Sequence, residues 1–149
     1  MQKNIVFLTG EIIGANVSET IHLYRRMESF KKSGVVSVIT QTSDLYPEEA
    51  GCKKVIHLKS DGNNMSVASE VVKQADLFVV VGIAPNAVTS TVLLNETRQE
   101  CCIAIINKGC LDLPINIHRE HVLKMRDMSI GTGLMFLSMY RWMMDLVEE

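Results

Sequence analysis

Short apolar runs alternate with amphipathic segments along most of this chain. The apolar runs predict six β-strands, at residues 4–9, 35–40, 53–58, 77–81, 101–107 and 121–125. The fourth run is apolar throughout, which is typical of a parallel strand that is covered on both faces. Because parallel neighbours need crossover connections, the helical segments between most of the strands predict a doubly wound α/β fold with a parallel six-stranded sheet.

Apolar residues at helical spacing place the connecting helices. Asn16, followed by Glu19, resembles a capping box, and the helix after it should end near Gly34. A second helix is predicted over residues 64–75, and a last helix from about Ser129. In a third helix, after the fourth strand, the residues expected to face the sheet are Val88, Val92 and Leu93.

The candidate site lies beyond the carboxyl ends of the strands. Doubly wound sheets bind ligands there, where the strand order reverses. The segments that qualify are those following Leu8, Thr40, Val81 and Ile106. The first of them is a turn with glycines at positions 10 and 14, and glycine is favoured where a backbone must approach a pyrophosphate closely. A nucleotide cofactor is therefore expected at this turn.

The composition is that of an ordinary globular protein. The 149 residues are 47% hydrophobic and 21% charged, with a formal net charge of -2, and the length fits one domain, residues 1–149. This charge offers no basic surface for nucleic acid or anionic lipid, and no apolar run approaches the length of a membrane span. The first residues lead directly into a strand rather than into a signal peptide, so we expect a cytoplasmic protein.

The cysteines and histidines do not indicate a metal site. The 4 cysteines form no C-x-x-C pair, and the neighbours Cys101 and Cys102 should point to opposite faces of a strand. Reduced, buried thiols without zinc are therefore expected. The 4 histidines are scattered. Although His118 and His121 lie close in sequence, surface or hydrogen-bonded histidines are the simpler interpretation.

Several of these segments together resemble the sirtuins, the NAD-dependent protein deacylases. Residues 38–44, Val-Ile-Thr-Gln-Thr-Ser-Asp, are similar to the family's Val-Ile-Thr-Gln-Asn-x-Asp segment, and residues 55–58 continue the match without a gap. Residues 8–13 are similar to the Thr-Gly-Ala-Gly-Ile-Ser loop, and residues 75–82 to the strand before the Gly-Thr-Ser loop. Residues 105–107 resemble a strand whose Asn approaches the adenosine ribose.

The resemblance implies the Rossmann-like, NAD-binding fold of sirtuins and deoxyhypusine synthase, with NAD or ADP-ribose as the cofactor. The residues that it places against the cofactor are Gly10, Glu11, Ile12, Gln41, Thr42, Asp44, Gly82, Ile83, Ala84 and Asn107. Three of these have an alternative interpretation. Gln41 and Asp44 can cap a loop by bonding local backbone groups, and Asn107 can be a plain turn residue.

The same comparison shows where this chain departs from the family. Ile12 stands at the second glycine of the first loop, and Ile83 with Ala84 replace the two hydroxyl residues of the Gly-Thr-Ser loop. Lys59 falls at the position of the catalytic His, and a lysine does not readily act as a base at neutral pH. Between Lys59 and Met65 there is no room for the zinc-binding module. The resemblance therefore implies a reduced, degenerate member of the family.

Three functions are compatible with these observations. The first is a sirtuin-like protein without deacylase activity that binds NAD or ADP-ribose weakly or serves as a scaffold. The second is a subunit, inhibitor or decoy of a sirtuin-type partner, which forms a homodimer or binds another protein through its Met-rich C-terminal helix. Core packing also accounts for those methionines. The third is an active NAD-dependent deacylase or an NAD or nucleoside glycohydrolase, with catalytic candidates Asp44, His57, Lys59 and Glu11.

Overall fold

The computed structural model describes residues 2–10, 16–58, 64–107, 109, 111–114, 117, 122–125 and 145. The strands are β1 Lys3–Thr9, β2 Gly34–Thr40, β3 Val55–His57, β4 Leu77–Val81, β5 Cys102–Ile106 and β6 Val122–Met125. They form one parallel sheet in the order β3-β2-β1-β4-β5-β6. The predicted doubly wound, six-stranded parallel sheet is confirmed.

Helices connect most of the strands. Those with described bounds are α1 Val17–Glu28, α2 Tyr46–Glu49, α3 Met65–Lys73 and α4 Val88–Glu96, and a 3-10 turn over Ser29–Lys32 follows α1. Helix α1 begins as predicted, because the side-chain oxygen of Asn16 accepts a hydrogen bond of 2.8 Å from the amide of Glu19. The helix predicted from about Ser129 lies outside the described residues.

Two apolar layers cover the two faces of the sheet. On the face of α1, the largest fully buried side chains include Phe7, Tyr24, Met27 and Phe30. On the face of α3 and α4, the fully buried side chains include Leu8, Phe78, Leu93 and Ile103. Burial of one such side chain contributes about 1.5–3 kcal/mol, so the two layers together hold the strand ends in fixed relative positions.

Helix α4 is rotated away from the predicted orientation. Val88 is 81% exposed and Val92 is 42% exposed, whereas Leu93 is fully buried together with Leu94 and Ser90. The prediction is therefore wrong for Val88 and Val92. The helix carries apolar residues on several of its sides, so their spacing does not select one buried face. The two bulkier leucines lie on the side that packs against the sheet.

Gly34 begins β2 instead of ending the preceding helix. Helix α1 ends at Glu28, and the 3-10 turn carries the chain on to Ser33. A Cβ on Gly34 would overlap the carbonyl oxygen of Lys3, its partner on β1. Glycine is required here because the two backbones come close together, which the sequence pattern does not show.

Cys52 and Cys101 are buried free thiols, as predicted, whereas Cys102 is a half-buried free thiol. Cys101 is buried in the layer of α3 and α4, whereas Cys102 packs against the layer of α1 on the other face. Burial, and then the nearby charge of Glu28, raises the pKa of Cys52 to about 12, so this thiol is unreactive. Within the described ranges, no group of three His, Cys, Asp or Glu side chains is placed to hold a metal ion. None of the helices in those ranges is long and apolar enough to cross a membrane.

Candidate functional site

One row of paired residues crosses the carboxyl ends of all six strands. From β3 to β6 its members are His57, Thr40, Thr9, Val81, Ile106 and Met125. The three residues on β3, β2 and β1 are polar, and the three on β4, β5 and β6 are apolar. The strand order reverses between β1 and β4, so the edge at which doubly wound folds bind ligands is divided there into a polar half and an apolar half.

The next residues along the strands form a second row, which contains four of the residues predicted to bind the cofactor. They are Gly10, Gln41, Gly82 and Asn107. The amides of Gly10, Gln41 and Gly82 each donate a hydrogen bond of 2.8 to 3.0 Å to the last carbonyl group of the neighbouring strand. The structure thus brings the four predicted residues together. Three of their amides extend the sheet and are not directed at a ligand.

Four hydroxyl groups are connected in the polar half. Those of Thr9 and Tyr24 lie 2.8 Å apart, and those of Thr40 and Thr42 lie 2.9 Å apart. Tyr24 also shares a hydrogen bond with Thr40, so side chains from β1, α1 and β2 form one group. Burial raises the pKa of Tyr24 above its usual range despite these hydrogen bonds, which keeps the phenol protonated. This group fixes the ends of β1 and β2 relative to α1.

His57 is held at both ring nitrogens. Its Nε2 lies 2.6 Å from a carboxylate oxygen of Glu48 in α2, and its Nδ1 lies 3.1 Å from the carbonyl oxygen of Thr42. The backbone carbonyl of His57 accepts a further hydrogen bond of 2.9 Å from the side chain of Asn64. Both groups that face the ring are acceptors, and only the doubly protonated imidazolium donates to both.

The charge on His57 follows from its neighbours. Burial alone lowers the pKa of His57, but the hydrogen bonds to Glu48 and Thr42, with the negative charges of Glu48 and Asp44, outweigh it and raise that pKa above its usual range. The side chains of His57 and Glu48 are 26% and 39% exposed. The two residues therefore form a partly screened ion pair that ties α2 to the end of β3.

His57 and Asp44, two of the catalytic candidates, are each hydrogen-bonded to neighbouring groups of the protein. A general base needs a lone pair within reach of the substrate proton, and both nitrogens of His57 are engaged. Asp44 accepts a hydrogen bond of 3.1 Å from the amide of Tyr46, at the start of α2. This is the loop-capping role that the alternative interpretation allows for Asp44. Three predicted site residues lie outside the described residues: Glu11, Ile12 and Lys59.

Sequence reasoning misses the partners of these groups. In the sequence, Tyr24 lies among apolar residues at helical spacing and Glu48 lies in a polar segment, and neither position indicates its partner. The order of the elements indicates that Glu48 lies near His57. Residues 41–51 begin at the carboxyl end of β2, next to the end of β3 that holds His57, and lead back toward the start of β3. No periodicity connects Tyr24 with the threonines, because that contact depends on the packing of α1 against two strands.

The apolar half is closely packed around Ile83. A Cβ placed on Gly10 would lie 2.5 Å from Cγ1 of Ile83 and 2.9 Å from the carbonyl oxygen of Gly82. Ile83 is only 7% exposed and belongs to the buried layer of α3 and α4. The next predicted site residue, Ala84, is half-buried in the loop before α4. The space that Gly10 leaves open is therefore taken by a side chain of this protein.

The fold of this chain is similar to that of solved protein structures. A scan against family models and a search of curated proteins find no match. The chain is similar to the structure of Sir2Tm bound to a propionylated peptide, with a TM-score of 0.61 and 16% identity over 90% of this chain and 92% of that chain. The fold is sirtuin-like. The predicted resemblance is thus confirmed for the fold.

Other sirtuin-like neighbours contain nucleotides. The chain is similar to Sir2 in complex with an inhibitor, 2'-O-acetyl-ADP-ribose and a deacetylated p53 peptide, with a TM-score of 0.60 and 14% identity over 91% of this chain and 93% of that chain. It is also similar to Sir2 with a p53 peptide and NAD+, with a TM-score of 0.59 and 14% identity over 91% and 92% of the two chains. Identities this low relate the folds and leave the roles of single residues to the contacts described above.

Proposed function

We propose that this chain is a sirtuin-like nucleotide-binding protein without deacylase activity or a zinc module, which binds ADP-ribose or NAD weakly or serves as a scaffold. The observation that carries the proposal is the engagement of both ring nitrogens of His57, by Glu48 and Thr42. A ring held in this way positions a loop and has no lone pair for base catalysis. The nucleotides in similar structures support the ligand class, and the carboxyl edge of the sheet supports its location.

Thermal unfolding in the presence of millimolar ADP-ribose or NAD tests the nucleotide part of the proposal. A ligand present at about ten times its Kd stabilises the folded state by about 1.4 kcal/mol. For a chain of this size, that free energy raises Tm by roughly 3–6 °C. Absence of any shift with either ligand at millimolar concentration would show that the nucleotide-binding part is wrong and leave the scaffold.

A pair of matched variants locates the binding site. Gln41 is exposed in the second row at the carboxyl edge, and Gln74 is exposed at the opposite edge of the sheet. Gln41→Glu should weaken ADP-ribose binding about threefold, because like charges near an exposed site cost about 0.5–1 kcal/mol. Gln74→Glu changes the net charge equally and should leave the affinity unchanged. Equal effects of the two variants would place the ligand elsewhere.

Activity assays test the absence of catalysis. The purified chain should release no nicotinamide from NAD and should not deacetylate an acetyl-lysine peptide. If nicotinamide is released and Asp44→Ala abolishes the release, the chain is an NAD-consuming enzyme with rearranged catalytic residues, and the proposal of an inactive protein is wrong.

A second proposal concerns partners: a second copy of the chain, or another protein, binds through the Met-rich C-terminal helix. That helix lies outside the described residues. The described feature that favours an interaction role is on α4, where Val88 and Val92 are 81% and 42% exposed one turn apart. Light scattering over a wide range of protein concentration tests the homodimer, and a strict monomer would exclude it.

A further inference from the structure

Gly10 and Ile83 meet at the point where the strand order reverses. Gly10 directly follows β1, and Ile83 follows β4 by two residues. The position of a Cβ on Gly10 is 2.5 Å from Cγ1 and 3.3 Å from Cδ1 of Ile83. The Ile83 side chain thus lies against Gly10, in the space that a side chain at position 10 would occupy. In a doubly wound sheet this is the place that a bound diphosphate approaches.

Among the described residues at this contact, two backbone amides are already engaged with neighbouring strands. The amide of Gly10 donates to the carbonyl oxygen of Val81 at 3.0 Å, and the amide of Gly82 donates to that of Ile106 at 2.8 Å. Diphosphate cradles need amides that point outward at the ligand. Both of these amides are instead used to pair strands.

Ile83 cannot move aside without cost. It is 7% exposed and belongs to the buried layer of α3 and α4, so its displacement would expose apolar surface. Its side chain is branched at Cβ, which restricts the first torsion angle. A diphosphate pressed against this side chain would also lose water without gaining hydrogen bonds.

From these contacts we infer that Ile83 is a specificity-determining residue, which fills the space beside Gly10 and excludes a diphosphate group from the end of β1. The inference rests on the proposed nucleotide-binding function and explains why binding of ADP-ribose would be weak. Ligands that carry a nucleoside without a diphosphate do not meet the same obstacle. The ratio of affinities for ADP-ribose and adenosine is therefore set by the side chain at position 83.

Titration calorimetry with ADP-ribose and with adenosine tests this inference on the full chain and its variants. Ile83→Ala should bind ADP-ribose at least about tenfold more tightly than the wild type, a gain equivalent to about 1.4 kcal/mol. Its affinity for adenosine should change less than about twofold. Ile83→Cys removes the branch at Cβ and the Cδ1 arm without adding a hydroxyl, and serves if Ile83→Ala does not fold.

Two controls separate the diphosphate effect from loss of packing. Ile83→Val retains both γ carbons and should resemble the wild type. Val72→Ala removes methyl groups from the same buried layer, in the half of α3 that lies away from the carboxyl edge, and should lower stability without raising affinity.

Each result decides the question. Unchanged ADP-ribose affinity in both Ile83→Ala and Ile83→Cys would overturn the role of Ile83, while measurable wild-type binding would leave the proposed function intact. An equal gain for adenosine would also overturn it, because the side chain would then restrict the whole groove. Absence of ADP-ribose binding in the wild type and in every variant would overturn both.

Discussion

The two halves of the carboxyl edge are built in different ways. The polar half holds its loops through hydrogen bonds, from the Thr9 and Tyr24 hydroxyls to the pair of His57 and Glu48. The apolar half contacts the turn after β1 through close packing of Ile83 against Gly10. Hydrogen-bonded groups can exchange a protein partner for a ligand with little change in volume, whereas a packed side chain must be displaced.

This difference bears on where a ligand can be accommodated. The polar half carries the segment that is most similar to sirtuins, residues 38–44, and the apolar half carries the departures at Ile83 and Ala84. The sheet has a sirtuin-like topology, and Ile83 packs against Gly10 at the point where the strand order reverses. Three measurements, in order of decreasing expected effect, test this contrast, and Ser90→Ala is the comparison for the second of them.

Gly10→Ala should produce the largest effect. The added Cβ would be 2.5 Å from Cγ1 of Ile83 and 2.9 Å from the carbonyl oxygen of Gly82. Overpacking of this kind costs about 1–3 kcal/mol, measurable by urea unfolding. The double variant with Ile83→Ala should recover part of the loss, because the side-chain overlap disappears while the Gly82 carbonyl remains. Strictly additive effects would show that the two residues do not press on each other.

Tyr24→Phe tests the polar half. The substitution keeps the ring in the core and removes the hydroxyl that bonds Thr9 and Thr40. It leaves two buried threonine hydroxyls with fewer partners, so the free energy of unfolding should fall by about 1–2 kcal/mol.

Ser90→Ala is the matched comparison on the apolar side. The hydroxyl of Ser90 is buried in α4 and has no hydrogen-bond partner among the residues that the structure describes. Its removal should be neutral or slightly stabilising in the same urea experiment, within about 0.5 kcal/mol. A loss as large as that of Tyr24→Phe would contradict the contrast between a hydrogen-bonded half and a packed half.

Glu48→Gln should have a smaller effect, and one that depends on pH. The pKa of His57 is raised in the folded protein, so its stabilising contribution is fully present below the unfolded value of about 6.5. That contribution is lost as the pH rises through the folded pKa. The stability difference between wild type and variant should be below about 1 kcal/mol at pH 6 and should shrink toward alkaline pH.

NMR titration of the imidazole signals and urea unfolding at several pH values measure this effect. Glu49→Gln is the control, because Glu49 is the next residue of the same turn and its side chain is exposed. A His57 pKa that is the same in the wild type and in Glu48→Gln would show that Glu48 does not hold the ring charge.

Much of the fold follows from the sequence because the strands are short apolar runs bounded by polar segments. The uniform run from Leu77 to Val81 marks a central strand, and the helical segments between the strands imply the confirmed parallel pairing, whereas the order of the strands was not predicted. Helix α4 is the exception. Its apolar residues lie on several faces, so the choice of Leu93 and Leu94 over Val88 and Val92 depends on which volume fits the layer beneath them.

The candidate site could be located from the sequence but not described. Topology alone brings Gly10, Gln41, Gly82 and Asn107 into one row, because parallel strands end at the same edge. The contact of Gly10 with Ile83 was not predictable, because a glycine in a turn has the same local signature whether a ligand or a side chain fills the space beside it. Likewise, the sequence shows a histidine and a glutamate but not the short distance between them.

Gly34 has a consequence for how the sheet assembles. A slip of β2 by two residues along β1 would keep every side chain on its own face, so the apolar pattern alone does not prevent it. In the observed register Gly34 faces Lys3, and after such a slip Val36 would stand there instead. The Lys3 carbonyl leaves no space for a Cβ at that place. The absence of a Cβ at Gly34 therefore helps to fix the register of β1 and β2, and this register pairs Thr9 with Thr40.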